Sequence, residues 1–569
     1  MSNQPDHSAF AYESVQQPLH PEMRDAATIK AVIETAADCW PERRYMTDAT
    51  SGVSKTYSEV NSRANEIAHA LDSLGVESGE KVGLYLENSP EYVTGIYGSA
   101  KLGAIQTPIN WQYREREVRH AIETAEVSTV LVQPEETYRS ILENVVPQIE
   151  GCNDVVVLDE MHPGDEDRDI ADTTEWAIQG TQTWLLSDLI AEATGSGNPG
   201  RSIDPSDPIC ILYTSGTTGL PKPAVHSSES YLLSAKSFLG APLPTDDVNY
   251  NPFPLFHANN QCYGMLAKAI HGSEWVFSDA FSASNFFDHV TTHDVTSFNI
   301  LGGVVQMLLS EYQGEDLPAN DLDLAIGPIG TELWDPFERV FDVDVVQIYS
   351  QTENPVLLVN HPDPEKRQHG SIGKPMFPDL GHEVRLVDES GEEVPTGETG
   401  ELWRTNVGTM IEYLGMPEKT EQTIGDGWLR SGDIARADED GFYYYVDRKK
   451  FMVRRAGENI SAQEVETVIN EHPAVADCAI IPAPHDIYDE VVKALVRPGD
   501  ESLEHEEVVL QVGKNLAAYK VPRYVEFVDS FPRTPSERIQ RVALAEKEAD
   551  REDHGWDREA QFSDWDESL

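Results

Sequence analysis

The sequence predicts an α/β fold: a large N-terminal domain of parallel α/β layers with a small β-rich subdomain, followed by a small α+β C-terminal domain. Short apolar runs alternate with longer amphipathic runs from about residue 57 onward. From residue 381 the spacing changes to that of antiparallel hairpins, and a compact mixed module follows. Strands separated by helices are typical of a parallel sheet that is covered by helices on both faces.

The N-terminal elements can be placed in order along the chain. A strand at 81–86 precedes a helix at 90–102, and an acidic exposed loop is expected at 164–174. Further short strands, all apolar or rich in β-branched residues, are expected at 128–133, 154–159, 208–214, 297–301 and 343–349.

The later elements divide at a domain boundary that we predict near Asp447. Hairpin strands are expected at 382–387 and 400–404 around a turn at 389–392, then a strand at 442–446 and a charged break at 447–450. Beyond the break we expect a helix at 462–471, strands at 475–482 and 490–496, and a helix at 504–516. The predicted domains are therefore 1–446 and 447–545, with a solvated acidic tail at 546–569.

The charge of the chain limits its partners. Its 569 residues include 99 Asp and Glu against 42 Lys and Arg, and the formal net charge is −57. Acids are spread along the whole chain and only 16 of the cations are Lys, a pattern typical of proteins from extreme halophiles, where salt screens self-repulsion. Nucleic acids and anionic lipid surfaces need clustered Lys and Arg, so neither is an expected partner.

Cysteine usage and apolar runs indicate the compartment. Five scattered cysteines without a C-x-x-C pair argue against a disulfide framework or a structural zinc site. The first thirty residues lack a basic segment followed by an apolar run, and the most apolar stretch, 295–309, is interrupted by polar residues and glycines. We expect a soluble, cytoplasmic protein without a membrane span, either a monomer or a homodimer.

The densest chemical motif is Y-T-S-G-T-T-G-L-P-K at 213–222, directly after an apolar run. Its hydroxyls and the N–H groups beside its glycines can donate to phosphate oxygens, and Lys222 adds positive charge for the same anion. The spacing differs from G-x4-G-K-[ST], so a Walker-type ATPase is not supported. The candidate nucleotide-binding residues in this loop are Thr214, Ser215, Gly216, Thr217, Thr218, Gly219 and Lys222.

This loop resembles the phosphate loop of the AMP-forming acyl-CoA synthetase, adenylation-domain and luciferase superfamily. The resemblance covers residues 56–541, because further motifs stand in the order of that family. They are Y-S-Q-T-E at 349–353, G-E-L at 400–402 with Tyr413 and Gly415 downstream, S-G-D at 431–433, D-R at 447–448 and R-A-G-E-N-I-S at 455–461.

The Y-S-Q-T-E motif also makes chemical sense by itself. Tyr349 ends an apolar run and can stack on adenine, and Thr352 can hydrogen-bond the α-phosphate. Glu353 offers the carboxylate oxygens that Mg²⁺ prefers, so it is the candidate metal ligand. The resemblance further implies that Asp433 and Arg448 contact the ribose.

The expected reaction follows from the chemistry of a carboxylate, whose own leaving group would be oxide. Attack on the α-phosphate of ATP gives an acyl-adenylate and pyrophosphate, and AMP is then displaced by a thiol. The resemblance implies ATP, Mg²⁺ and CoA as cofactors and a small-molecule carboxylic acid as substrate. It also implies a mobile C-terminal domain that rotates between the half-reactions, with Lys450 at the hinge and Gly457 beside the pantetheine tunnel.

The sequence departs from the family near its end. The family shows P-x-x-x-S-G-K, and its Lys reaches the carboxylate and the α-phosphate, whereas this chain has P-R-T-P-S-E-R at 532–538. Glu537 stands in place of Gly, and Arg538 in place of Lys. Arg keeps the charge but presents a planar fork instead of an ammonium group. We assign the catalytic role to Arg538 as a hypothesis.

The acyl pocket is marked by P-L-F-H at 254–257, which resembles the gate motif of the family and places His257 at the mouth of the pocket. Acetate-specific members carry Trp at the position of Ser350, so a larger acid is expected here. Gly302 and Gly330 are assigned to the same pocket. The amides Asn259, Asn260, Gln261 and Asn354 suggest polar features in the substrate. Three short segments are most similar to the carnitine/crotonobetaine-CoA ligase branch, and medium-chain or aryl acids stay open.

Two alternatives to an acid–thiol ligase stay open at this point. A freestanding adenylation enzyme would load the thiol of a carrier protein instead of CoA. A non-catalytic protein that binds AMP or an acyl-adenylate would account for the altered S-G-K motif, although retention of Lys222, Glu353 and Asp433 argues against decay of the site.

Overall fold

The computed structural model describes residues 20–561 except for a set of short gaps. The gaps are 160–175, 194, 215–219, 245, 313, 315, 362, 450–451, 456–457, 486–488, 501, 517, 534–538, 550 and 552–553. The predicted loop 164–174, the loop residues Ser215, Gly216, Thr217, Thr218 and Gly219, and the candidates Lys450, Gly457 and Arg538 therefore lie outside the described residues.

The described helices are numbered in chain order. They are α1 Pro21–Arg24, α2 Ile29–Cys39, α3 Tyr57–Ser73, α4 Pro90–Leu102, α5 Glu115–Ala125, α6 Glu136–Val145, α7 Leu186–Glu192, α8 Ser228–Phe238, α9 Ala267–His271, α10 Phe286–Thr292, α11 Gly302–Tyr312, α12 Thr331–Phe341, α13 Pro417–Thr423, α14 Ala462–Asn470, α15 His505–Asn515, α16 Arg541–Ala549 and α17 Arg558–Gln561. A π-helix, Asn259–Leu266, runs directly into α9.

The described strands are numbered in the same way. They are β1 Arg44–Asp48, β2 Ser54–Thr56, β3 Lys81–Tyr85, β4 Ile105–Pro108, β5 Thr129–Val132, β6 Asp154–Val157, β7 Gln182–Leu185, β8 Pro208–Thr214, β9 Lys222–Ser227, β10 Val248–Tyr250, β11 Glu274–Phe277, β12 Ser297–Asn299, β13 Leu324–Ile326, β14 Asp344–Val346, β15 Ile348–Gln351, β16 Asn354–Val359, β17 Lys374–Pro375, β18 Glu383–Val387, β19 Thr399–Thr405, β20 Glu412–Tyr413, β21 Ile424–Gly425, β22 Trp428–Ala437, β23 Tyr443–Arg448, β24 Val453–Arg455, β25 Glu458–Ile460, β26 Val475–His485, β27 Asp489–Pro498, β28 Tyr524–Phe527 and β29 Trp556–Asp557.

The chain divides into two compact units. The first contains residues up to Thr214, 220–384 and 404–429, and the second contains 385–403 and the residues from 430 onward. The first unit holds an eight-stranded sheet in the order β20-β9-β8-β4-β3-β5-β6-β7 and a seven-stranded sheet in the order β14-β13-β12-β10-β11-β1-β2. Pairing within them is parallel except at β2, β9 and β20, so the predicted parallel α/β layers are confirmed.

Helix α4 shows why the local sequence signals were strong. The Ser89 hydroxyl accepts a hydrogen bond from the backbone N–H of Tyr92 at 3.2 Å, and Pro90 occupies the first helical position. Gly103 ends the helix with φ +74°, a left-handed conformation that glycine adopts without steric cost. Every residue of α4 is buried, so the predicted bounds 90–102 match a helix that packs on all sides.

A buried ion pair joins two segments of the first unit. Lys268 on α9 and Asp247 are both fully buried, and the ammonium group contacts the carboxylate directly. Thr296 donates from its hydroxyl to the other carboxylate oxygen of Asp247 at 2.9 Å. The pair therefore carries its counter-charge inside the protein, which a buried charge requires.

The second unit is rich in β-structure. Three neighbouring strands pair in the order β18-β19-β22, and β23 also pairs with β22. The division between the units falls within each of these three strands. A six-stranded sheet has the order β25-β24-β27-β28-β29 with β26 on β27, and α14 packs against β26. This is the predicted α+β module with its helices and strands in the predicted order.

Two of the predicted local elements are wrong, the charged break at 447–450 and the single strand at 343–349. Strand β23 continues through Asp447 and Arg448, which pair with Ile434 and Asp433 of β22, so no break begins at 447. The predicted strand 343–349 is two strands, β14 and β15, that belong to different sheets. The second compact unit contains residues 430–446 together with the later residues, while the domain boundary at 446/447 stays a prediction.

Among the described residues, no helix is both long and apolar enough to cross a bilayer.

Candidate active site

The ends of the predicted phosphate loop face each other across the β8–β9 ladder. Thr214, the last residue of β8, pairs with Lys222, the first residue of β9. The Thr214 hydroxyl is buried and has no hydrogen-bond partner among the residues that the structure describes. A buried hydroxyl without a partner is costly unless something binds there, so this atom fits a ligand that accepts hydrogen bonds at the loop.

The Y-S-Q-T-E motif forms a tight hairpin between β15 and β16. Gln351 pairs with Asn354, so the turn consists of the two residues Thr352 and Glu353. The turn is fastened by its backbone: the N–H of Met410 donates to the Glu353 carbonyl at 2.8 Å. These contacts hold the two candidate catalytic residues at a defined point of the first unit.

Lys222 and Glu353 meet at the hydroxyl of Tyr413. The Lys222 ammonium donates to the Tyr413 hydroxyl at 2.5 Å, and this hydroxyl donates to a carboxylate oxygen of Glu353. The ammonium nitrogen also lies 3.9 Å from the centre of the Tyr413 ring and 3.7 Å from the Glu353 carboxylate. The side chains of Lys222 and Glu353 are 25% and 19% exposed, so both charges can be reached from solvent. We call Lys222, Tyr413 and Glu353 the Lys–Tyr–Glu cluster.

The cluster joins segments that are distant in sequence. Strand β20 pairs antiparallel with β9, which places Tyr413 opposite Ala224 and beside Lys222. The sequence motifs named Tyr413 but did not show that its hydroxyl bridges the two charged residues. Its only sequence signal was its position downstream of G-E-L.

Tyr349, the predicted adenine platform, is nearly buried in β15. The guanidinium of Arg404 lies 5.7 Å from the centre of its ring. Arg404 is itself fully buried and donates to the Asn354 carbonyl at 3.3 Å and to the Val356 carbonyl. Arg404 therefore stiffens both strands of the hairpin, a role that no sequence motif indicated.

His226 is a second residue that the motifs did not reveal. It is fully buried in β9, its Nε2 lies 2.8 Å from the carbonyl oxygen of Thr352, and its Nδ1 lies 2.9 Å from the Ser230 hydroxyl. Burial lowers the pKa of His226 to about 4, and the Thr352 carbonyl and the Glu353 charge only partly offset this effect. The imidazole is therefore neutral at pH 7.

Asp433 and Arg448 form an ion pair in the second unit. They are opposite each other in the β22–β23 ladder, and the Arg448 Nε lies 2.6 Å from a carboxylate oxygen of Asp433. Asp433 is almost fully buried, whereas the Arg448 side chain is more than a third exposed. The two residues that the motifs assign to the ribose are thus brought together by strand pairing.

The predicted acyl-pocket residues lie in three places of the first unit. His257 follows a turn in which its backbone N–H donates to the Pro254 carbonyl, and it is partly exposed. The Ser350 hydroxyl lies 3.1 Å from the hydroxyl of Tyr263, which donates its own proton to the Pro355 carbonyl, so a tyrosine backs this small residue. A Cβ on Gly302 would meet only open space, whereas one on Gly330 would lie 2.3 Å from the carboxylate of Glu332.

The amides near the gate motif serve the protein interior. Asn260, Gln261 and Asn354 are fully buried, and each side chain hydrogen-bonds within the protein: Asn260 to the Phe253 carbonyl, Gln261 to Gln106, and Asn354 to Thr409. Because these three amides are buried and bonded within the protein, they give no support to the expectation of polar features in the substrate. Asn259 alone of the four is partly exposed.

The arrangement can hold a nucleotide and a divalent cation. Lys222 and the buried Thr214 hydroxyl border the loop, and Glu353 supplies carboxylate oxygens, the ligands that Mg²⁺ prefers. Donor groups and a cation directed at phosphate oxygens stabilise the charge that develops in phosphoryl or nucleotidyl transfer.

Comparison with known proteins agrees with this chemistry. A family model described as AMP-binding enzyme matches residues 33–414, and the model of the AMP-binding enzyme C-terminal domain matches residues 464–538. A crotonobetaine/carnitine–CoA ligase from Proteus mirabilis (strain HI4320) is 30% identical over 493 residues, which cover 85% of this chain and 92% of that protein.

Solved structures give the same result. An anthranilate CoA ligase, AuaEII, in complex with anthranoyl-AMP matches with a TM-score of 0.80 at 25% identity, over 94% of this chain and 98% of that one. The o-succinylbenzoate CoA synthetase (MenE) from Bacillus subtilis shares the fold, with a TM-score of 0.77 at 22% identity over 92% of this chain and 99% of that one. The resemblance predicted from the motifs is confirmed, and the chain belongs to the AMP-binding enzyme family, that of the AMP-forming acyl-CoA synthetases.

Proposed function

We propose that this chain is an ATP-dependent acid–thiol ligase that activates a carboxylic acid as acyl-AMP, releases pyrophosphate, and transfers the acyl group to CoA. The observation that carries the proposal is the Lys–Tyr–Glu cluster, in which a cation beside the phosphate loop and a carboxylate on the hairpin turn are 3.7 Å apart. This family membership and this cluster together favour catalysis over mere binding of AMP.

Each residue has a distinct role in the first half-reaction. Lys222 stabilises negative charge on the phosphates while a carboxylate oxygen forms a bond to the α-phosphorus and the bond to pyrophosphate breaks. Thr352 donates to the α-phosphate, and Glu353 would hold Mg²⁺, which would neutralise phosphate charge. Tyr349 stacks on the adenine, and Asp433 and Arg448 bind the ribose.

The second half-reaction forms a thioester. The thiol of CoA loses its proton, its sulfur bonds to the acyl carbon, and AMP leaves with the former carboxylate oxygen. Lys450 at the hinge, Gly457 beside the pantetheine and the boundary at 446/447 belong to this step in our proposal. We place the reaction in the cytoplasm of a cell with high internal salt, as the acidic composition favours.

The substrate class is a carboxylic acid larger than acetate. Ser350 leaves more space than tryptophan would, and Gly302 adds open space at the start of α11. Relatives at 30% identity are named for crotonobetaine and carnitine, and a structural neighbour is named for anthranilate. We therefore propose a panel that contains trimethylammonium acids, medium-chain acids and aryl acids.

The test measures pyrophosphate release and AMP formation with this panel, with and without CoA, in high salt. The proposal predicts pyrophosphate release with at least one acid and CoA-dependent thioester formation with the same acid. Glu353→Ala is the control, and it is expected to abolish the activity. Pyrophosphate release without formation of a CoA thioester would favour a carrier-protein thiol as the acceptor. The absence of pyrophosphate release with every acid would contradict the proposal.

Arg538 is proposed to replace the usual lysine. Its guanidinium can bridge two anionic oxygens, so it can contact the acid and the α-phosphate together. Arg538→Ala is expected to lower the rate of acid-dependent ATP–pyrophosphate exchange by at least about 100-fold, the loss typical of a lost transition-state donor. Unchanged exchange in this variant would show that the assignment is wrong.

A further inference from the structure

We infer that His226 is a positioning residue for adenylation: its Nε2 holds the Thr352–Glu353 turn in register with Lys222. The inference deepens the proposed function and rests on it, because adenylation is the step that this register serves. His226 touches neither the nucleotide phosphates nor the metal in this scheme, so its effect passes through the turn.

Strand geometry connects the two residues of β9. Lys222 and His226 are four positions apart, so their side chains leave the same face of the strand at backbone positions about 13 Å apart along it. Lys222 contacts the side chain of Glu353, and His226 contacts the backbone of Thr352. One strand therefore meets both residues of the two-residue turn, once at each end.

The hydrogen bonds determine which ring nitrogen carries the proton. A carbonyl oxygen can only accept, so the Nε2 of His226 donates to Thr352. The buried imidazole is neutral, so Nδ1 carries no proton and can only accept. The Ser230 hydroxyl lies 2.9 Å from Nδ1 and 2.9 Å from the Gly408 carbonyl, and its single proton can serve either of these two acceptors. The tautomer is therefore fixed by the Thr352 carbonyl, which can only accept.

The neighbouring carbonyls of the turn are held by other segments. The Glu353 carbonyl accepts from Met410, and the Asn354 carbonyl accepts from Arg404. Among the described residues, the bond from His226 is the link from the Lys222 strand to the turn backbone. Without it the turn follows the segments of Met410 and Arg404, and the 3.7 Å spacing between Lys222 and Glu353 loses a support.

The test uses two amide variants that imitate one ring nitrogen each. In His226→Gln the amide nitrogen can reach the position of Nε2, whereas in His226→Asn it reaches only the position of Nδ1. We expect Gln to keep kcat for acid-dependent ATP–pyrophosphate exchange within about fivefold, and Asn and Ala to lower it about 10- to 100-fold, as small displacements of catalytic groups do. The acid is the most active member of the panel.

A second measurement separates positioning from general damage. Thioester formation from synthetic acyl-AMP and CoA does not need the Lys222–Glu353 register, so it is expected to stay within about threefold in all His226 variants. His271→Ala, which removes another histidine paired with a serine hydroxyl, is the matched control and is expected to leave both half-reactions unchanged. Thermal unfolding is recorded for each variant.

The possible outcomes are distinct. Equal exchange rates in His226→Gln and His226→Asn would overturn the inference, as would equal losses in both half-reactions. A fully active His226→Ala would overturn it as well. If His226→Ala does not fold, the Gln and Asn variants decide alone. If the wild-type protein shows no exchange with any acid of the panel, the result contradicts the proposed function. The His226 variants then have no wild-type rate with which to be compared.

Discussion

The hydroxyl of Tyr413 offers the sharpest test of the Lys–Tyr–Glu cluster. Tyr413→Phe removes one oxygen and keeps the ring that lies 3.9 Å from the Lys222 ammonium. In the native cluster this oxygen accepts from Lys222 and donates to Glu353. Without it the two charges, already 3.7 Å apart, can close on each other. In the proposed mechanism, that closure would withdraw the cation from the phosphates and the carboxylate from Mg²⁺.

The magnitude follows from the two lost hydrogen bonds. A hydrogen bond to a charged group contributes about 1.5–3 kcal/mol. Lys222 and Glu353 are partly exposed, so solvent replaces some of the loss, and we take about 1.5–3 kcal/mol for both bonds together. At about 1.4 kcal/mol per tenfold in rate, kcat/KM for adenylation is expected to fall about 10- to 150-fold.

Acid-dependent ATP–pyrophosphate exchange measures this loss directly. Tyr250→Phe is the matched control. The hydroxyl of Tyr250 is also buried and lies 3.0 Å from the Ser278 hydroxyl and 3.0 Å from Nδ1 of His289. Tyr250 lies in β10, which belongs to the other large sheet of the first unit. We expect the control to keep full activity. If Tyr413→Phe retained activity within twofold of the wild type, the bridging role of the hydroxyl would be refuted.

Three further predictions concern the ribose pair, a buried ion pair and acid stability. Asp433→Asn keeps the shape of the side chain but removes the charge that pairs with Arg448. The KM for ATP in steady-state kinetics is therefore expected to rise about tenfold, with a smaller change in kcat. An unchanged KM would contradict the ribose role. Lys268→Met leaves Asp247 buried without its cation, so the free energy of unfolding of the first unit, measured in urea, is expected to fall by about 3–5 kcal/mol. The double variant with Asp247→Asn should recover part of this loss. Equal stability of the single variant and the wild type would argue against the ion pair. The pKa of His226 is lowered to about 4 from 6.5, so between these pH values only the unfolded chain binds a proton at this imidazole. The free energy of unfolding is therefore expected to fall by about 3 kcal/mol as the pH drops from 6.5 to 4. The free energy of unfolding of His226→Gln should depend less on pH over this range, and parallel pH profiles of the variant and the wild type would contradict the prediction.

The sequence predicted best those features that depend on short-range signals. Helix α4 has a serine cap, a proline at its start and a glycine after its end, and its bounds match the prediction. The strand that precedes the phosphate loop, β8, also matches, because its apolar run ends at the motif. Lys222, Glu353, Asp433 and Arg448 were named by short motifs, and their roles at the nucleotide stay predictions.

Features that depend on tertiary contact could not be predicted. His226 and Arg404 support the turn through backbone carbonyls, and a carbonyl has no sequence signature. Asn354 was expected at the substrate, but the structure uses its amide for Thr409 and for the hairpin itself. Strand β23 extends over Asp447 and Arg448 because β22 supplies partners, although charged residues in a row are typical of a break.

The acidic composition has a different meaning once the site cations are located. Lys222 and Arg448 each lie against a carboxylate, Glu353 at 3.7 Å and Asp433 at 2.6 Å. An anionic ligand must therefore compete with a carboxylate for each cation and also approach a chain of net charge −57. At about 1 M salt the Debye length is about 3 Å, so the long-range repulsion is screened while contacts at these distances are largely kept. If the proposed function holds, high salt thus lowers the long-range repulsion between the surface and ATP or CoA, while the ion pair within each unit is kept.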